Sequence, residues 1–163
     1  MYQYVEKPGE LRLGQEQRVD VVEAPGFLLT VAAMAWGSLD AKYVHIHVEI
    51  DGPDRAYPID FTAKGLHDYG KERPDNFGPY LTVYDDANKV YAGIMTPSQP
   101  IPIARRFELK LIPPSQPMEE ASPLPIKYHG VYALAKIIDV EEFRKSLQEL
   151  LWPIKRLEEV RRA

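Results

Sequence analysis

The stretch KYVHIHVEIDG, residues 42–52, decides how this chain is read. Tyr43, His45, His47, Glu49 and Asp51 fall at every second position, and Val44, Ile46, Val48 and Ile50 fill the places between them. Side chains two apart on a strand point the same way, so the pattern describes a ribbon with one apolar and one polar face. β-Branched residues suit such a ribbon without further cause. The alternative is chemical: two imidazoles two apart on a strand can reach one metal ion, and imidazole suits zinc, copper, iron and nickel. A third ligand would have to come from His67 or His129, and no spacing nominates either. The strand reading is preferred, and no metal, cofactor or catalytic residue is assigned.

The same rhythm runs outward in both directions. Short apolar or alternating runs are broken by Pro, Gly and Asp, which predicts an antiparallel β-sandwich. Strands are expected near 10–13, 17–23, 27–34, 42–50, 57–61, 80–84, 89–95, 104–112 and 127–138. The run at 27–34 is apolar on both sides, as a covered central strand would be. In 104–112, Arg106, Glu108 and Lys110 alternate with Phe107, Leu109 and Leu111, so one face is expected to be wet. YDDANKVY (84–91) reads as a hairpin loop and DGPD (51–54) as a turn. TAKGLHDYG (62–70) reads as one short inserted helix, capped by Thr62 and stopped by Gly70.

Two segments are rich in proline. TPSQPIPI (96–103) is expected to run along a sheet edge, because proline cannot donate to an inner ladder. PPSQPMEEASPLP (113–125) is a long connection, either functional or a crossover between sheets. The chain then changes character. Asp139 is a good N-cap, with Glu141 and Glu142 in the first turn. Phe143, Leu147, Leu150, Ile154 and Leu157 recur at helical spacing, compatible with a coiled-coil seam that Pro153 interrupts. An amphipathic helix must hide that stripe, on its own sheet or on a neighbour, so these five residues are the expected oligomer contacts. The expected organisation is an N-terminal arm (1–10), a sandwich (11–138) and a C-terminal helix (139–163).

Bulk properties narrow the function classes. The chain has 163 residues, 45% hydrophobic and 27% charged, which is ordinary globular composition. Lys plus Arg number 20 against 24 Asp plus Glu, a net charge of −4 that argues against one broad nucleic-acid-binding face. Only the basic C-terminus, with Lys155, Arg156, Arg161 and Arg162, offers a local exception. Cysteine is absent, which removes disulfides, thiolate nucleophiles and Cys-type zinc sites. Asparagine is confined to Asn76 and Asn88 while Pro numbers 15, a composition that leans toward a hot-living source. The start of the sequence has no secretory signal pattern. The longest apolar run, 27–36, is about half the ~20 residues of a membrane helix. Synthesis in the cytoplasm and no membrane span are expected.

Other chemistries find little support. Asp85, Asp86 and Asn88 lack the spacing of a calcium loop. Asp40, Asp51, Asp54 and Asp60 form no identifiable acid/base pair. There is no nucleophile elbow around Ser38, Ser98, Ser115, Ser122 or Ser146, and no glycine-rich phosphate cradle. Tyr57, Tyr69, Tyr80, Tyr84 and Tyr91 cluster in the middle third, and Trp36 precedes a turn. Such aromatics either pack half-buried strands or form a platform for a glycan or partner.

The order PGFLLTV, a long alternating strand ending EIDG, then YPIDFTAKGLHDYG and PYLTVYDDANKVYAGIMTPSQPIPIARRFELKLIPP resembles small jelly-roll-like β-sandwich virion proteins of viruses and tailed phages. The resemblance spans residues 17–112, is one of layout, carries over no functional residue and does not explain the C-terminal helix. It implies a non-enzymatic capsid, decoration or tail protein that assembles with copies of itself and with other structural proteins. The alternative from the residues is a carbohydrate- or ligand-binding β-sandwich module.

Overall fold

The computed structural model describes residues 1–52, 59–72, 80–121 and 125–137, together with positions 141 and 145. Its strands are β1 (Tyr2–Leu11), β2 (Gln17–Val22), β3 (Gly26–Trp36), β4 (His45–Ile50), β5 (Ile59–Phe61), β6 (Tyr80–Asp85), β7 (Val90–Met95), β8 (Ile101–Ile103), β9 (Phe107–Ile112) and β10 (Ile126–Lys136). A short 3-10 helix covers Leu39–Tyr43, and α1 covers Ala63–Glu72. The larger sheet has the order β1-β10-β3-β7-β6, with β8 pairing the start of β3, and the smaller has the order β2-β9-β4-β5. All pairings are antiparallel.

The sheets face each other because every strand in the middle buries alternate side chains. Ile46 and Val48 of β4 and Phe107, Leu109 and Leu111 of β9 meet Leu28, Val31, Tyr91, Tyr132 and Leu134 from the larger sheet. Each such buried side chain contributes about 1.5–3 kcal/mol. Two glycines of the larger sheet leave room that side chains of the facing sheet fill. A Cβ on Gly93 would stand 2.8 Å from the Phe61 ring, and one on Gly130 would stand 2.9 Å from Val19. The bottom layer of KYVHIHVEIDG is thus core, as the alternation requires.

Three expectations meet a different outcome. Residues 1–10, read as an arm, lie almost wholly in β1, an edge strand paired with β10 from Tyr2↔Ala135 to Leu11↔Ile126. Thr62 does cap α1, its hydroxyl accepting from the Gly65 N–H at 2.9 Å, but the helix runs through Gly70 to Glu72. Glu108 does not sit on a wet face. It is 2% exposed, beneath Arg18 and Arg106, each of which donates to it at 2.6 Å. The proline-rich TPSQPIPI holds the edge expected of it, with Pro102 opposite Phe27. PPSQPMEEASPLP crosses from β9 in one sheet to β10 in the other. No described helix is long and apolar enough to cross a membrane.

Candidate functional site

The polar face of KYVHIHVEIDG is wired into a network. His45 Nδ1 lies 2.6 Å from Asp60 Oδ1, and His47 Nδ1 lies 2.9 Å from Asp60 Oδ2, so one carboxylate of β5 spans both imidazoles of β4. His47 Nε2 lies 3.3 Å from Glu49, and Lys110 donates to Glu49 at 3.3 Å. Burial alone would raise the Glu49 carboxyl, but the hydrogen bonds from Lys110 and His47 outweigh it and hold it below the usual range. Asp51 caps the turn before β9, accepting from the N–H groups of Ala104, Arg105 and Arg106 at 3.0, 2.6 and 3.0 Å. Among the described residues no group of three or more His, Asp or Glu side chains is arranged to hold a metal ion. His67 is elsewhere, stacked on Tyr84 with ring centroids 3.8 Å apart, and His129 lies on the larger sheet beside Glu6.

One end of the sandwich carries a second cluster, centred on Lys42. The 3-10 helix starts at Ser38, whose hydroxyl accepts from the Asp40 N–H, and it turns Lys42 inward, where the residue is 3% exposed. Its ammonium donates to Asp86 and to Glu119, each at 2.9 Å, and lies 5.5 Å from the Tyr84 ring and 5.6 Å from the Tyr91 ring. Burial pushes the ammonium down, but the two carboxylates more than reverse this, and the group is held well above the ordinary lysine range. Tyr91 donates to Asp86 at 2.7 Å, and Tyr43 donates to Glu119 at 2.6 Å. That bond to Glu119, with burial, pushes the Tyr43 phenol up to about 12. The fully buried Asp40 accepts through Oδ1 from the N–H groups of Met118 and Glu119, while its Oδ2 has no hydrogen-bond partner. Ser38 and Lys89 both donate to Glu120. The cluster therefore clamps the crossover 113–121 to the hairpin loop 85–89.

The clamp uses several residues that composition had offered for other chemistry. Asp85 is spent on the hairpin, accepting from the Asn88 N–H at 3.0 Å, and Asp86 is held by Lys42 and Tyr91. Tyr80 packs edge-on to Phe61, and Tyr91 is 1% exposed. Tyr57 lies outside the described residues, as do Phe143, Leu147, Leu150, Ile154 and Leu157. The strand expected over 42–50 begins only at His45, and the burial of Lys42 comes from the 3-10 helix, in which Asp40, Ala41 and Lys42 are buried in succession, so strand alternation did not reveal it.

The third feature is the outer side of the larger sheet. Its free edge, β1, exposes Tyr2 at 82% and Tyr4 at 64%. The main-chain exchange between Met1 and Lys136 fixes the ladder's phase, so Tyr2, Tyr4, Glu6 and Glu10 point their N–H groups away from β10. Pro8 falls on the same outward phase, where its missing N–H costs the sheet nothing. Toward the other edge, Leu81, Val83 and Met34 are exposed on the same face. Comparison with known proteins finds no family model that matches this chain and no curated protein that matches it.

Proposed function

We propose that this chain is a non-enzymatic structural protein that assembles with copies of itself, a virion-type capsid, decoration or tail component built on a jelly-roll-like sandwich with a C-terminal helix. The observation that carries the reading is the edge of β1. Its first half presents outward N–H and C=O groups at Tyr2, Tyr4 and Glu6 that pair with nothing among the described residues. Such an edge is a template for strand addition, and a neighbour's strand would satisfy each group as β10 does on the other side. Pro8 interrupts the run of outward donors between Glu6 and Glu10 and so favours pairing along the part of the edge that precedes it. The virion setting draws its support from the layout of residues 17–112, and the polar networks, which tie carboxylates to cations rather than to an open cleft, suit a rigid building block.

The test is light scattering of the full chain beside Glu6→Pro. Proline at an outward position removes an edge donor while leaving every bond to β10 in place, so the variant is expected to stay folded and lose higher-order species. A chain that is monomeric at high concentration overturns the proposal. If that monomer binds glycans, the ligand-module reading replaces it, with Tyr69 rather than the buried Tyr91 as the aromatic to examine.

A further inference from the structure

We infer that the strand received by the β1 edge is β1 of a second copy, running antiparallel about a two-fold axis that sets Tyr4 opposite the partner's Tyr4; this rests on the assembly reading and names its partner. The part of the edge that precedes Pro8 is complementary to itself. Outward main-chain groups fall at every second position, at Tyr2, Tyr4 and Glu6, and Pro8 follows in the same phase. In an antiparallel ladder, opposed residues whose main-chain groups point at each other exchange both hydrogen bonds. An axis through Tyr4 sets Tyr2 against the partner's Glu6 and Glu6 against the partner's Tyr2. Every outward N–H and C=O of these three residues then has a partner, and both copies' Pro8 lie beyond the paired stretch. Sliding the strands by two residues toward a longer overlap brings Pro8 opposite Tyr2, whose carbonyl then meets no donor. Sliding by four sets Glu6 against Glu6, and like charges directly opposed destabilise a ladder.

The side chains agree with that axis. Tyr2, Tyr4 and Glu6 are exposed and share the outer face of the sheet, where the Tyr4 hydroxyl donates to Glu6 at 2.8 Å. A two-fold axis perpendicular to the sheet keeps both outer faces on one side. The two Tyr4 rings then meet at the centre of a row, with a phenol opposite a carboxylate on either hand. Opposed aromatic side chains are among the pairs that stabilise a ladder. On the inner face Val5, half-buried against the core at this edge, gains a covering strand. The sheet's other edge is less open: α1 packs beside β6, with His67 stacked on Tyr84. Such a pairing consumes the edge on both copies. Growth through this contact therefore stops at a dimer whose larger sheet runs unbroken through both molecules, and any further assembly uses other surfaces.

The experiment uses the full chain, whose lack of cysteine lets one introduced thiol report on its own position. Under mild oxidation Tyr4→Cys is expected to form a disulfide-linked dimer on a non-reducing gel, because opposed Cα atoms stand about 5.5 Å apart, within the span of a disulfide. Tyr2→Cys alone and Glu6→Cys alone should stay unlinked, since each lies about 14 Å from its own equivalent. Mixed together, those two variants should link to each other, and mass spectrometry identifies the mixed dimer. All three side chains are exposed, so the substitutions leave the core intact. Adding Glu6→Pro to Tyr4→Cys should abolish its link. A Tyr4→Cys chain that links no faster than the other two variants overturns the inference. If the parent chain still associates by light scattering in that case, the partner strand falls and the assembly reading stands; a parent that is monomeric at high concentration overturns both.

Discussion

Lys42 is the residue on which one end of the molecule turns. An ammonium withdrawn from water loses hydration that only good partners restore, and here two carboxylates and two aromatic faces supply them. Lys42→Met keeps the volume and leaves Asp86 and Glu119 facing each other without a cation. Removing one partner of a fully buried pair costs about 3–5 kcal/mol, and the exposure of Asp86 reduces this to about 2 kcal/mol. Urea unfolding should therefore show a lower midpoint with an unchanged slope; an unchanged midpoint would mean that the clamp adds nothing to stability. In the sequence, Lys42 is not marked out, because it sits in a 3-10 helix where the strand's alternation does not run. Its partners come from segments more than 40 residues away, and no local pattern announces them.

Among the elements, the crossover 113–121 shows how a proline-rich connection becomes ordered without a ladder of its own. Asp40 captures two of its N–H groups and Glu119 and Glu120 tie it to Lys42, Tyr43, Ser38 and Lys89. Asp40→Ala should free the crossover while the sheets persist, at a cost of about 1–3 kcal/mol for the orphaned N–H groups. Limited proteolysis read by mass spectrometry should then find new cleavage between Ile112 and Ala121; identical digestion of variant and parent would show that the loop is held some other way. The strands with regular alternation, such as β4 and β9, were legible because their two faces differ in kind. β1 was not, since YQYVEKPGE mixes charges, a proline and a glycine. Only the ladder's phase, which a single chain segment does not reveal, shows that Pro8 occupies an outward position. The hydrophobic stripe of Phe143, Leu147, Leu150, Ile154 and Leu157 was legible as a pattern, and it lies outside the described residues.

For the whole molecule the networks set a pH window. Hydrogen bonds from Tyr91 and Lys42 hold Asp86 below its ordinary value, those from Tyr43 and Lys42 do so for Glu119, and Lys89 chiefly does so for Glu120. A carboxyl lowered in the folded state stabilises above its unfolded value, near 4, and that contribution fades as pH falls through the folded value. Lys42 and the phenols of Tyr43, Tyr91 and Tyr132 are raised, so their contribution is complete below about 10 and is lost as pH climbs through the folded values. Melting temperature is thus expected to be flat from about pH 5 to 10 and to fall on both sides. In Lys42→Met the acid limb should be shallower; an acid limb as steep as the parent's would put the responsible carboxylates elsewhere.

The pairing of β1 with β10 has a kinetic consequence. Met1 and Lys136 exchange main-chain hydrogen bonds across almost the whole described sequence. During synthesis β1 emerges long before β10 and must wait, with both its sides unsatisfied, until β10 has cleared the ribosome. Closing so long a loop is slow, and in that interval the tyrosine-bearing strand is free to join the wrong chain. Polysomes making this protein would then hold nascent chains already tangled with one another, and a holdase binding Tyr2–Leu11 would raise the yield of native molecules.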